Sequence, residues 1–282
     1  MNHDMTETLR VYCDPLGAFV ELPVKPRRIV SLASGLTEAL VHMGYSDAIA
    51  GISSWCSNFV PNLKVPISGD YLSVDEKQLR AVEPDLFLIT TGVQRGLARK
   101  LLKQGVPVYV LPLPNSLHGI LENVIALGAL VDDIPAARAL TQKWNRLLLD
   151  LKTGASTPKP RVYAELWFGK HARMTGGLTF VHDLIEASGG ENIFGHIRKG
   201  YLPLDLDEVK RMNPDIFLIY SEPQHPIDPS TLQAERGWNF PIIQADIQPT
   251  HNLIHDGPSM MDTAEWLSHS IQTIWSKTKN EK

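Results

Sequence analysis

The chain has 282 residues, of which 43% are hydrophobic and 21% charged, and its formal net charge is −4. That length accommodates two domains of ordinary size, and the composition is that of a globular protein, not a disordered one. An acidic balance with no Lys/Arg-rich run excludes nucleic acid as an expected partner.

The first ten residues, MNHDMTETLR, are polar, so no signal peptide is expected in this sequence. No apolar run approaches a membrane span. Residues 9–22 pattern as a hairpin turning at Asp14-Pro15-Leu16-Gly17. Ile29 to Leu32 is a short buried strand, followed by a helix from about Ser34 whose stripe is Leu36, Ala39, Leu40 and Met43. Glu38 lies off that stripe and is expected to face solvent, where the helix dipole favours it. Strand 48–52 leads into a loop carrying Trp55 and Cys56, and residues 68–71 form another loop, with Tyr71. A helix over 74–82, strand 86–89, helix 97–104, strand 106–111 and helix 116–131 complete the first half. Cys13 and Cys56 make no framework, and a disulfide between them stays open.

Pro135 to Leu151, PAARALTQKWNRLLLDL, has apolar residues at helical spacing and a proline suited to a first helical turn. At 1.5 Å per residue it is roughly 25 Å long. What precedes it is echoed after it: VDEKQLRAVEPDLFLIT at 74–90 matches LDLDEVKRMNPDIFLIY at 204–220. Two similar α/β halves therefore flank one helix. The expected division is an N-terminal lobe over 1–134, a bridging helix over 135–153 and a C-terminal lobe over 154–282, with Thr153–Pro160 as linker. In the second half, strand 161–166 precedes a loop with Trp167, Phe168 and Arg173, and a helix near 180–188 ends at Gly189-Gly190. The echoed helix and strand follow, then a loop with Arg236 and Trp238, a strand near Ile242, and a last helix from Pro258. Short apolar strands alternating with helices predict parallel sheets covered on both faces.

Ligands of open parallel sheets bind beyond the carboxyl ends of the strands. The residues there include Trp55, Tyr71, Thr90, Thr91 and Gln94 in the first half, and Trp167, Phe168, His171, Tyr201, His251 and His255 in the second. Aromatics are over-represented, which suits a flat or bulky organic ligand; rings folded back on their own lobe are the plain alternative. His251-x-x-x-His255 has metal-ligand spacing only on a helix, and no third ligand is evident, so no metal is expected. There is no nucleophile elbow, Walker loop, dinucleotide fingerprint or Cys-x-x-Cys. Thr175-Gly176-Gly177 is too short to cradle phosphate. The sequence offers a cleft without catalytic machinery, and no enzyme is expected.

PRRIVSLASGLTEALVHMG at 26–44, the repeated PDLFLI and PDIFLI, and SGGENIF at 188–194 resemble the solute-binding proteins of ABC importers for cobalamin, ferric siderophores and haem. The resemblance implies a non-enzymatic, monomeric binding protein: two Rossmann-like lobes with parallel-type sheets, bridged by one long helix with little hinge motion. It places the chain outside the cytoplasmic membrane, with a cytoplasmic location as the alternative. RVYAELWFGKHARMTGG at 161–177 is most similar to the cobalamin-binding branch. By that resemblance Trp55, Tyr71, Phe168 and Tyr201 contact a corrin, carried as ligand and not as cofactor. Glu38 and Glu191 match the glutamates that dock on permease arginines. Where the cobalamin branch has an acidic and a basic residue before the last helix, this chain has His251 and His255. The alternatives are a siderophore or haem carrier, with Arg95, Arg173, Arg198 and Arg236 as candidate anion ligands, and a cytoplasmic enzyme or metal-handling protein using His171, His251 and His255.

Overall fold

The computed structural model describes residues 7–154 and 157–280. Residues 1–6 of the polar N-terminus and part of the expected linker over 153–160 lie outside the described residues. Two compact units form. Of the described residues, one contains 7–113, 118–142 and 256–258; the other contains 114–117, 143–154, 157–255 and 259–280.

The first unit opens with a hairpin, β1 (Thr8–Cys13) and β2 (Ala18–Pro23), turning at Gly17 with φ of 63°. Its main sheet comprises β3 (Ile29–Ser31), β4 (Ile49–Ser53), β5 (Ile67–Gly69), β6 (Leu86–Thr90) and β7 (Val108–Leu111). The helices are α1 (Ser34–His42), α2 (Glu76–Val82), α3 (Arg95–Lys103) and most of α4 (Leu117–Leu130). All five strands are parallel, in the order β5-β4-β3-β6-β7. β6 is buried along its whole length, as a continuous apolar run covered on both faces should be. The loop expected at 68–71 begins inside β5.

α5 (Ile134–Thr153) is the long helix expected from the Pro135 pattern, and the boundary between the units falls within it, between Gln142 and Lys143. The second unit holds β8 (Arg161–Phe168), β9 (His171–Thr175), α6 (Phe180–Ala187), β10 (Glu191–Asn192), β11 (Tyr201–Leu202) and α7 (Leu206–Met212). β12 (Ile216–Ser221), α8 (Pro229–Glu235), β13 (Ile242–Ala245) and α9 (Met260–Asn280) complete it. The order is β11-β9-β8-β12-β13, with β10 beside the start of β8.

This second sheet is mixed, which corrects the expectation of a parallel one. β9 runs antiparallel to β8 and to β11. The cause is local: Gly169, with φ of 58°, and Lys170 make a two-residue turn, so the segment after Phe168 folds straight back as a hairpin. α8 also lies in a stretch expected to be loop; Asp228 caps it by accepting from the Ser230 and Thr231 amides, with Pro229 in its first turn.

Candidate functional site

In each unit the strand order reverses next to one strand, and that is where an open sheet leaves a crevice beyond its carboxyl ends. In the first unit the place is β3 against β6, in the second β8 against β12. Of the aromatic candidates, Trp167 and Phe168 end β8 at that point, whereas Trp55 and Tyr71 follow β4 and β5 and Tyr201 lies in β11.

In the first unit, Tyr71 is half-buried and its loop is pinned by Gln94, which is fully buried. The Gln94 Nε2 donates to the Tyr71 carbonyl at 3.0 Å, and its Oε1 accepts from the Thr90 amide and hydroxyl at 2.8 and 3.0 Å. Burial pushes the Tyr71 phenol above its ordinary pKa. Trp55, also half-buried, precedes Cys56, whose thiol contacts the Ser53 hydroxyl at 2.9 Å and accepts from Thr37 at 3.2 Å. Both cysteines are free and buried, so the disulfide left open is not formed. Leu72, Val93 and Leu113, which sequence pattern did not single out, are exposed on the loops after β5, β6 and β7. The signal was present, since all three are large apolar residues outside any periodic run.

Glu38 is only 4% exposed, which corrects the solvent-facing expectation. Every residue from Gly35 to Leu40 is buried, so α1 has no solvent face there. The Asp256 backbone lies so close over Gly35 that a Cβ would sit 2.4 Å from its carbonyl oxygen. That return of the chain onto α1 comes from more than 200 positions away and leaves no periodic trace.

In the second unit, Phe168 ends β8 and packs edge-on against Tyr201, with ring centroids 5.5 Å apart. Tyr201 is 45% exposed. The segment that carries it is laced to β9: β11 pairs Tyr201 with Thr175, and the Gly176, Gly177 and Leu178 amides donate to the carbonyls of Gly200, Ile197 and Lys199. A Cβ on Gly177 would come within 2.2 Å of the Gly195 carbonyl oxygen. The glycine pair therefore permits a close backbone approach. Residues 166–182 and 193–204 contain Lys170, Arg173, Arg198 and Lys199 and no acidic residue, in a chain whose net charge is −4. All four cations are exposed.

Trp167 is half-buried and faces inward: its Nε1 donates to Glu165 at 2.8 Å. Arg236, one of the candidate anion ligands, is instead spent on Glu165 through contacts of 2.7 and 3.0 Å. His251 and His255 are not on a helix, so they lack the spacing that a shared metal would need. His251 lies tilted against the Trp266 ring with centroids 4.6 Å apart, and His255 is buried. Among the described residues no three His, Cys, Asp or Glu side chains cluster as metal ligands. Glu191 is exposed at the start of β10. A cleft of about 600 Å³ in the first unit, lined by Arg28, Glu76, Arg80 and Glu83 among others, lies at the opposite, amino end of the sheet. Its charges are largely satisfied internally, Glu76 by Lys100 and Arg80.

Known proteins give this geometry a context. A cobalamin-binding protein of Halobacterium salinarum is 26% identical over 211 residues, covering 72% of this chain and 56% of that relative's length. The chain thus spans little more than half of that relative. The petrobactin-binding protein YclQ of Bacillus subtilis superposes with a TM-score of 0.79 at 14% identity, over 94% of this chain and 99% of that one. The vitamin B12-binding protein BtuF of Vibrio cholerae does so at 0.69 and 19%, over 90% and 99%. At those identities the structural likeness establishes the fold. Among the described residues no helix is long and apolar enough to cross a membrane. The sequence model of the periplasmic binding protein family matches residues 29–245, more than three quarters of the chain, and the chain belongs to that family.

Proposed function

We propose that the protein captures a corrinoid, cobalamin or a close relative, and delivers it to the permease of an ABC importer outside the cytoplasmic membrane. The observation that carries this reading is the Phe168–Tyr201 pair, an edge-packed aromatic surface at the end of β8 with Tyr201 left open to solvent. Ring faces and edges of this kind cover a flat macrocycle, and the named cobalamin-binding relative supports the choice of ring. The reading needs no catalytic residue and no resident cofactor. Docking on the permease is assigned to Glu191, which is exposed, and no longer to Glu38, which is not.

One observation favours a second reading. The acid-free segments around Tyr201, with Lys170, Arg173, Arg198 and Lys199, favour a ligand with anionic groups, as a haem or ferric siderophore has. The test is a titration followed by tryptophan fluorescence, since a corrin absorbs the emitted light. Cyanocobalamin should quench saturably with one site per chain, and Phe168→Ala should weaken binding about tenfold with little change in Tm. Haemin or a ferric siderophore quenching saturably while cyanocobalamin does not would install the second reading.

A further inference from the structure

The second unit buries a full ion pair. Glu165 is 0% exposed and the Arg236 side chain 9%. The two guanidinium nitrogens Nη1 and Nη2 meet the carboxylate oxygens Oε2 and Oε1 at 2.7 and 3.0 Å. Two further donors complete the carboxylate: the Tyr163 hydroxyl on Oε2 and the Trp167 indole Nε1 on Oε1. Each oxygen accepts twice, so the carboxylate has no capacity left. Residues 163, 165 and 167 alternate along β8 and share one face of the sheet. The other side of the guanidinium lies over the Trp238 ring, 4.9 Å from its centroid, and Trp238 meets Tyr163 and Phe217 edge-on. Burial, with the Glu165 charge beside it, drives the Tyr163 phenol far above its ordinary pKa, so it remains a donor.

Such a pair is poorly explained by stability. Desolvating two charges offsets most of their attraction, and an apolar replacement of similar volume is often as stable or more so. What a saturated carboxylate does supply is direction. It draws the Trp167 N–H inward, one residue before Phe168, so that the part of the indole left to solvent offers hydrocarbon and no donor.

We propose that Glu165 and Arg236 are positioning residues for ligand binding: a buried charge clamp that fixes the Trp167 ring at the carboxyl end of β8, where open sheets bind ligands, on the sheet face opposite Phe168. This rests on the corrinoid reading for the identity of the ligand, but the clamp itself can be read without one.

The experiment uses the full chain labelled with 5-fluorotryptophan, with the Trp167 fluorine resonance assigned by Trp167→Phe. Glu165→Leu combined with Arg236→Met removes both charges at similar volume. The expected result is a Tm within a few degrees of the parent, a shifted or broadened Trp167 resonance, and a Kd for cyanocobalamin raised about tenfold. An unchanged Trp167 resonance overturns the clamp, whatever the ligand does. A changed resonance with an unchanged Kd overturns its role in binding. If the parent does not bind cyanocobalamin, the corrinoid reading fails, and the resonance alone decides whether the clamp holds the ring. Should the double variant not fold, Arg236→Lys keeps the charge and loses the two-pronged contact. It should move the same resonance, and no movement there overturns the clamp.

Discussion

The two units share a frame and differ at the rim. In the first, Asp75 caps α2, the helix ends at Glu83 in the left-handed region with φ of 46°, and Pro84-Asp85 leads into β6. In the second, Asp205 caps α7, the helix ends at Asn213 with φ of 46°, and Pro214-Asp215 leads into β12. Both aspartates reach back to the start of the middle strand of their sheet, β3 or β8. Asp85 accepts from the Arg27 and Arg28 amides and donates its own N–H to the Arg28 carbonyl; Asp215 does the same with Arg161. Even the arginine side chains correspond: that of Arg28 caps the Glu83 carbonyl, and that of Arg161 the Met212 carbonyl. A helix end, a proline and an aspartate thus lock two parallel strands in register twice over.

At the carboxyl ends nothing is repeated. The first unit puts Leu72, Val93 and Leu113 into solvent there, whereas the second has the β8–β9 hairpin, an edge-packed aromatic pair and four cations. The divergence is plain at the carboxyl ends, where open sheets of this kind bind their ligands.

That contrast can be broken or sharpened by substitution. The largest effect is expected where the second unit has no counterpart: Arg236→Ala leaves Glu165 buried and unpaired, and should cost about 3–5 kcal/mol in denaturant unfolding. A cost below about 1 kcal/mol would show that water reaches the carboxylate. Next come the shared aspartates. Asp215→Ala strands a part-buried amide and should cost about 1–3 kcal/mol, whereas the two amides that Asp85→Ala releases are exposed, where water can serve them, and the cost should be about 0.5–1.5 kcal/mol. Equal costs would mean that the two locks are more alike than their hydrogen bonds. The smallest effect carries the opposite sign. Glu83→Gly should stabilise by a few tenths to about 1 kcal/mol, because a left-handed position strains a glutamate; Asn213→Gly should gain less, since asparagine tolerates that region.

The shared frame was legible because it is local. PDLFLI and PDIFLI place helix end, turn and strand within a few residues, and propensity, capping and burial all agree there. The long helix was legible for the same reason. The rim was not. A two-residue turn at Gly169-Lys170 reverses a strand whose composition reads as loop, and α8 carries no apolar periodicity over its seven residues. Glu38 was misjudged because helical periodicity marks one buried face, while the chain returning at Asp256 covers α1 from far along the sequence. Arg236 and Glu165 are 71 positions apart, and no spacing rule joins them. Cation and aromatic counts single out loops, but which arginine pairs with a carboxylate depends on tertiary contacts alone.

The central claim is that the aromatic rim of the second unit serves a corrin ring. Equilibrium dialysis of the purified chain against cyanocobalamin tests it directly, with haemin dialysed in parallel. The account predicts one cyanocobalamin per chain at micromolar Kd or tighter, about −8 kcal/mol or better, lost in a Phe168→Ala, Tyr201→Ala variant that still melts cooperatively. No retention of cyanocobalamin at tens of micromolar, or retention undiminished in that variant, would contradict it.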